Sequence, residues 1–405
     1  MKYILLIVLL VFTKIIFSQN YFPSYYDTTY SKGELLFEGK ADLLNSSLTN
    51  TIANKLLSGK TISDDEINNW LLKQKETNRL QLEANSEIEY RNYQVFPQSK
   101  WGLLIKIGAF LSVSSIYSKD FARLGMLDNT TALEQQLNLS PTLFSTTTYS
   151  KLGIGLINKK NKNSFSLTLF EILNHSQASL LSGTLQTNTL GNSIDIQNFN
   201  YDYSSYAKTK GVHNWGLGID LDLKIPLTTF FDKTIMLQIV TKNIGIGIIT
   251  KQIQNYEIDT NYNFSGFELD HLSTLSKLSG NYLLDTLSVK SSADYRLISL
   301  PGYLQAGKIN LSSSNKKLQT YYGCRIYPNF AFIPFLYSGI SYKLNRYIGV
   351  GISENYGITN QFRTGFFLQL TGKYASFTLG TENIINSVQK EGKGQSFQFK
   401  LACRY

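Results

Sequence analysis

Between residues 215 and 227, in WGLGIDLDLKIPL, two kinds of side chain alternate without a break. Trp215, Leu217, Ile219, Leu221, Leu223, Ile225 and Leu227 are large and apolar. Gly216, Gly218, Asp220, Asp222, Lys224 and Pro226 are small, charged or cyclic. A period of two is the period of a β-strand, so the segment has one apolar face and one polar face. The pattern returns in WGLLIKIGAFLSV from Trp101, in RYIGVGIS from Arg346, in QFRTGFFLQL from Gln361 and in QSFQFKLACRY from Gln395.

A soluble antiparallel sheet with one wet face shows the same alternation. Three features point instead to a membrane barrel. The alternating segments run to about ten residues or more, the length of a tilted strand crossing a bilayer. Short polar turns alternate with long connections, as in outer-membrane barrels. Aromatic residues, Trp101, Trp215, Tyr342 and Tyr405, stand at the ends of apolar faces and are the candidate interfacial girdle.

Strands are predicted near 31–43, 84–95, 101–117, 142–157, 163–175, 213–226, 233–250, 295–312, 317–328, 331–344, 346–355, 361–372, 374–383 and 394–405. That is a count of about fourteen, even as expected for a bacterial barrel and within a range of about 12–16. The predicted fold class is all-β: a transmembrane antiparallel outer-membrane β-barrel with a short helical insert near the N-terminus. With both chain ends on the periplasmic side, the short turns near 96–100, 158–163, 227–232, 313–316, 345 and 373 share that side. The long connections 176–212 and 251–294 fall on the other and are predicted as extracellular loops. In 233–250 the apolar face switches from Ile235, Leu237 and Ile239 to Ile244, Ile246 and Ile248, which predicts a bulge. Pro301 interrupts the ladder of 295–312.

Residues 44–83 are predicted as the helical insert, a plug or a cap. Ser63 and Glu66 have capping-box spacing, and Ile67, Trp70 and Leu71 form an apolar stripe one helical turn deep.

The chain opens with MKYILLIVLLVFTKIIFSQN, which reads as a signal peptide over 1–18 followed by a single barrel domain over 19–405. No Cys stands near the expected cleavage site, so no lipid anchor is expected there. No later window is long and apolar enough for a transmembrane helix.

Composition adds little to this and removes some alternatives. The sequence has 26 Tyr, 24 Phe and 29 Gly with only 2 Cys, too few for a disulfide framework. Cys324 and Cys403 fall on strands well apart around the barrel, so both are expected free. The net charge of +10 sits largely in turns such as NKKNKN (158–163), so no nucleic-acid partner is expected. The last strand ends on Tyr405 and resembles the terminal signal read by the barrel-assembly machinery.

GELLFEGKADLLNSSLTN (33–50) with the insert that follows, NWGLGIDLDLKIPL (214–227), and IMLQIVTKNIGIGIITKQ (235–252) leading into YNFSGF (262–267) together resemble a Bacteroidota outer-membrane β-barrel family classed as a domain of unknown function. The resemblance covers most of the mature chain and implies fold and location, not chemistry. More distantly, the strand count is similar to fatty-acid-transporter-like barrels. Their plug precedes the first strand, whereas the insert here follows it.

No enzyme is expected. His175, His213 and His271 all fall at or beyond the extracellular rim and are expected to be loop-exposed. In NHSQ (174–177), His175 and Ser176 would point to opposite faces of a strand. Three scattered His make no metal site. SDDE (63–66) is explained by the helix start rather than by calcium, and no cofactor is expected.

The lumen face is where function is to be sought. Lys106, Asp220, Asp222, Lys224, Arg363, Gln369, Gln398, Lys400 and Arg404 are predicted to point inward, as polar filling or as a porin-like solute path. The expected function is a channel or transporter for a small or lipophilic solute. The alternatives are a non-conducting scaffold for secretion or surface-protein assembly, and a soluble periplasmic lipid-binding β-protein. The expected partners are outer-membrane lipid and lipopolysaccharide, the assembly machinery, and in the scaffold alternative a secretion or surface-protein partner.

Overall fold

The computed structural model describes residues 32–127, 132–191, 193–209, 211–228, 234–251, 253–264, 289–290, 295–309, 317–327, 334–357 and 361–405. The signal peptide, His271 and the centre of the 251–294 connection lie outside the described residues.

In chain order the strands are β1 (Gly33–Asn45), β2 (Thr77–Asn92), β3 (Trp101–Ser118), β4 (Gln136–Asn138), β5 (Thr142–Asn158), β6 (Ser164–Thr187), β7 (Ile194–Ala207), β8 (Asn214–Thr228), β9 (Thr234–Ile249), β10 (Gln254–Phe264), β11 (Val289–Lys290), β12 (Arg296–Ser299), β13 (Tyr303–Ile309), β14 (Leu318–Ile326), β15 (Phe335–Lys343), β16 (Ile348–Gly357), β17 (Gln361–Thr371), β18 (Ala375–Thr381) and β19 (Gln395–Arg404). Helices are α1 (Asn50–Leu57), α2 (Asp64–Leu72), α3 (Lys119–Met126) and α4 (Ile384–Val388).

The sheet closes on itself. β1 pairs antiparallel with β19 from Glu34 opposite Arg404 to Leu43 opposite Gln395, and with β2 on its other edge. From β2 the circuit runs through β3, β5, β6, β8 and β9, and then through β13 to β19. β12 and β13 are two halves of one barrel strand, both paired with β9 and parted at Pro301, where a proline cannot donate to the ladder. The result is a closed 14-stranded antiparallel barrel. Closure leaves no edge with unpaired backbone groups, the condition for a sheet to cross lipid.

The side chains are inverted relative to a soluble protein. Ile154, Leu167 and Ile219, neighbours on β5, β6 and β8, stand on the outer surface with 61%, 59% and 42% of their area exposed. Inward positions on the same strands carry Lys151, Ser166 and Asp220, all buried. A charged interior beneath an apolar exterior suits lipid outside and polar filling inside. It contradicts the soluble alternative, which needs the apolar face within.

One mouth holds Gly33 and Tyr405 and is called here the terminal mouth; the opposite one is the distal mouth. The connections 93–100, 159–163, 344–347 and 372–374 lie at the terminal mouth, and those holding all four helices at the distal mouth. Trp101, Tyr342 and Tyr405 are exposed at terminal ends of their strands, and Trp215 is exposed at a distal end. Tyr374 joins the first set and Tyr295 the second. These aromatics bracket the apolar belt.

Three expectations change. The insert is shorter than 44–83: β1 runs to Asn45, β2 begins at Thr77, and helix is confined to α1 and α2. The polar positions of TNRLQLE at the start of β2 concealed its pairing with β1, which only the fold brings alongside. The 176–212 connection is not a loop. β6 continues to Thr187, β7 returns against it, and β10 pairs with β7 beyond the barrel. The extension alternates too, with Phe199, Tyr201 and Tyr203 stacked on one face against Asn200 and Asp202, but polar runs such as NHSQ on β6 made the segment read as a connection. His175 is not loop-exposed: it is buried on β6, with Nδ1 3.1 Å from Thr147 Oγ1. The bulge expected in β9 lies across from Asp220, where the pairing of β8 shifts register between Ile219 and Leu221. Cys324 and Cys403 are both free.

Candidate functional site

The barrel interior has two unlike halves. From the terminal mouth a chamber of about 670 Å³ opens inward between β1–β3, β8, β9 and β13–β19. Among the residues predicted to face the lumen, Lys106, Asp222, Lys224, Gln369, Lys400 and Arg404 line it. Asp220, Arg363 and Gln398 also point inward but lie beyond the chamber, 1%, 3% and 0% exposed.

The inner end of the chamber is closed by a charge network. Asp220 accepts from Lys106 Nζ and Lys151 Nζ, each at 3.0 Å, and from the Asn243 backbone N–H at 2.7 Å. The last contact explains the bulge: Asn243, with φ at +57°, turns its N–H towards the carboxylate. Lys151 also contacts Glu87 and donates to Asn243 Oδ1 at 2.7 Å. Lys242 joins Glu87, at 3.0 Å, to Glu38. Each charge of this network thus touches at least one opposite charge, the condition under which charges survive away from water.

An aromatic and aliphatic block fills the space beside this network. Phe110 stacks on Tyr149 at 5.1 Å between centroids, and Phe170, Ile172, Tyr206 and Ile249 complete the cluster. Tyr149 donates its hydroxyl to the Pro301 carbonyl at 2.9 Å, so the break between β12 and β13 supplies the acceptor that a buried tyrosine needs. On the opposite wall Gly351 leaves room for the Phe367 ring and Gly323 for the Tyr337 hydroxyl, letting aromatics lie flat across neighbouring strands.

Further towards the distal mouth the lumen stays filled. Lys40, fully buried, lies 3.2 Å from Asp42 and 3.5 Å from Glu83. Arg325, also fully buried, donates to Gln305 Oε1 at 2.9 Å and sits 4.1 Å from the Tyr303 ring centroid.

The helical insert then covers the mouth. Ile67, Trp70 and Leu71 of α2 pack with Ile52 and Ala53 of α1, Ala122 of α3, and Leu43, Leu80 and Tyr117 from the ends of β1–β3. The capping box forms as the spacing predicted: Ser63 Oγ accepts from the Glu66 N–H, and the Glu66 carboxylate accepts from the Ser63 N–H at 2.9 Å. Lys55 Nζ reaches both Glu66 oxygens at 2.6 Å and, with the Ser63 N–H, holds that carboxyl down at about 2. The insert is also tied to the neighbouring connections on the β17–β19 side of the mouth. Asn50 Nδ2 donates to the Asn386 and Gln389 carbonyls at 2.6 and 2.9 Å, and Gln361 Nε2 donates to the Ser46 carbonyl at 3.0 Å. These bonds bridge β1–β3 to the β17–β19 side.

Sequence reasoning missed most of the seal. Glu38, Lys40, Asp42, Glu83, Glu87, Lys151 and Lys242 were not among the predicted lumen residues. The signal existed in part. In β1, Glu34, Glu38, Lys40 and Asp42 share one parity, and in β2 so do Glu83, Glu87, Glu89 and Arg91. What periodicity cannot supply is that Glu87 meets Lys151.

His213 is half exposed outside the barrel, its Nδ1 2.5 Å from Glu171 and its ring stacked on Trp215. His175 meets Thr147, while Ser176 lies on the other face of β6.

No family model and no curated protein matches the sequence. Among solved structures, the chain is similar to the toluene transporter TodX of Pseudomonas putida, at 10% identity over 93% of this chain and 91% of that one, with a TM-score of 0.38. It is also similar to the translocator domain of the autotransporter NalP from Neisseria meningitidis, at 6% identity over 94% and 91%, with a TM-score of 0.35. What those proteins carry is no guide to what this chain carries.

Proposed function

We propose that the protein is a gated transporter of small polar solutes in the outer membrane of a Gram-negative bacterium, with the terminal mouth in the periplasm. The observation that carries the reading is a chamber open at one mouth and sealed at its inner end by the Asp220 network. A passive pore needs a continuous aqueous path. A transporter needs a site exposed to one side at a time, and this chamber is such a site. Its lining of charged and hydroxyl groups favours a polar solute over the lipophilic one also expected from the sequence. The reading is of a protein that moves its solute without converting it. Its surroundings are outer-membrane lipid and lipopolysaccharide, and the barrel-assembly machinery inserts it. The kinship with Bacteroidota barrels rests on residues 33–50, 214–227 and 235–252 and belongs to the same proposal.

The test is solute flux into proteoliposomes. The wild-type protein should hold back small polar solutes that the Asp220→Asn variant, with its seal weakened, lets through. Free passage through the wild type would sink the gated reading.

One observation favours a second reading. The sheet of β6, β7 and β10 stands beyond the barrel at the distal mouth, where a secretion or surface-protein partner would meet it. In that non-conducting scaffold the seal never opens, so wild type and Asp220→Asn would be equally tight, and a partner would co-purify.

A further inference from the structure

The two walls of the chamber differ in charge. On the side built from β1–β3, β8 and β9, every carboxylate lining the chamber meets a cation. Glu34 contacts Arg91 at 3.1 Å and Lys162 at 3.9 Å, and Glu89 contacts Arg91 and Lys106. Asp222 contacts Lys224 at 2.7 Å and accepts from Gln238 Nε2 at the same distance. Glu38 and Glu87 share Lys242.

The opposite wall, from β14 to β19, has another composition. It contributes Lys317, Lys343, Arg346, Lys400 and Arg404, and no carboxylate among the described lining residues. Where this wall meets β1, Lys400 lies 3.8 Å from Glu38, and Arg404 stands opposite Glu34 in the strand register. Between the cations the same wall presents Gln369, Thr371, Ser376 and Thr378, all neutral donors.

We infer that this wall is a binding site for a small oxyanion carrying several negative charges, a polycarboxylate or a phosphate ester, which enters from the terminal mouth. The inference rests on the transporter reading and names its substrate class. A cluster of cations on one low-dielectric wall raises the local concentration of anions and gives them charge-assisted hydrogen bonds. The paired wall does the reverse for cations, since its carboxylates are already taken. The volume of about 670 Å³ suits a small organic ligand. The seal ends the chamber beneath the site, so a bound anion would rest against Lys242 and Lys106, each held by carboxylates.

The experiment is calorimetric titration of citrate into the purified protein in detergent, with putrescine as the dication of opposite charge. Citrate should bind with an affinity that falls as salt is raised, because the rim charges are exposed to screening. Lys317 and Arg346 are exposed at turns, where substitution spares the barrel. Lys317→Gln combined with Arg346→Gln should weaken citrate roughly tenfold or more, the size expected for lost charge-assisted contacts. Lys60→Gln combined with Lys73→Gln removes the same charge from the insert at the distal mouth and should leave citrate binding unchanged. Equal losses in the two double variants, or putrescine binding as tightly as citrate, would overturn the site. The readout needs no transport. Citrate binding by a protein whose wild type and Asp220→Asn variant are equally tight would leave the site standing and remove the transporter reading. Neutral solutes passing Asp220→Asn but not the wild type, without citrate binding, would do the opposite.

Discussion

The terminal and distal halves of the lumen are built from the same strands with the same alternation, yet one is a chamber and the other is packed with buried side chains among the described residues. Glu34 and Glu38 of β1 face open space, and two to four residues further along the same face Lys40 and Asp42 are fully packed. The difference lies in what stands across the barrel. In the distal half Arg325 and the insert fill the gap, and Glu83 on the neighbouring β2 joins Lys40. In the terminal half the opposing wall ends in Lys317, Arg346 and short hydroxyl side chains. Strand period therefore fixes which face is inside, while the occupancy of the inside depends on pairs far apart in sequence.

The contrast breaks most readily at Asp220. Removing this carboxylate by Asp220→Ala leaves Lys106 and Lys151 buried beside fewer counter-charges and should cost about 3–5 kcal/mol. Asp222→Asn, two residues along on the chamber side with a quarter of its side chain exposed, should cost under about 1 kcal/mol. Urea unfolding of the detergent-folded protein would measure both; similar losses would mean that the two halves are equally wet.

Next in size is the outer face. Leu167→Arg places a cation in the middle of the apolar belt and should cost about 2–4 kcal/mol. Ser166→Arg, facing inward, should instead fail by overpacking. If lipid-reconstituted Leu167→Arg is as stable as wild type, that face does not meet lipid.

The insert tests the distal half more gently. Ser63→Ala removes the N-cap acceptor of α2 and should cost about 1 kcal/mol of local stability, seen as faster amide exchange over 64–72 with β19 unchanged. An effect on the whole barrel would show that the insert is not a separable cover.

The smallest expected effect is that of pH on the same helix. The Glu66 carboxyl is held at about 2 in the folded protein against an ordinary 4.5. A depressed value means that its contribution is present above 4.5 and is lost as pH falls through 2. Exchange over 64–72 should therefore rise between those values, and Glu66→Gln should flatten the response. A rise centred above pH 5 would assign the change to another group.

Much of the barrel was legible in the sequence because lipid imposes a simple code. Fourteen strands followed from apolar residues recurring at alternate positions, and the switch in β9 and the break at Pro301 were visible as lapses in that code. The capping box of Ser63 and Glu66 was legible because it is local. The start of β2 was not, since its positions are largely polar, and the sheet of β6, β7 and β10 was not, since polar runs interrupt β6 and its aromatic row, Phe199, Tyr201 and Tyr203, lies beyond the barrel. Nor was the seal. Lys151 has inward parity within YSKLGIGLIN, but its meeting with Glu87 and Asp220 joins three distant segments. The acid-free wall was hidden for the same reason: Lys317, Arg346 and Arg404 belong to separate turns and strands that only closure brings together.

The central claim is that the lumen is open from one mouth and filled beyond its middle. Thr378 lines the chamber on β18, and Gln398 lies fully buried on the adjacent β19, one step deeper. With Cys324 and Cys403 replaced by Ser, Thr378→Cys and Gln398→Cys can be compared in detergent, where both mouths are bathed by reagent. The rate of reaction with a charged maleimide reports directly on access. The account predicts that Thr378→Cys reacts like an exposed thiol and that Gln398→Cys reacts at least roughly a hundredfold more slowly, as a site reached only by local opening. Similar rates at the two positions would show a continuous aqueous lumen and contradict the account.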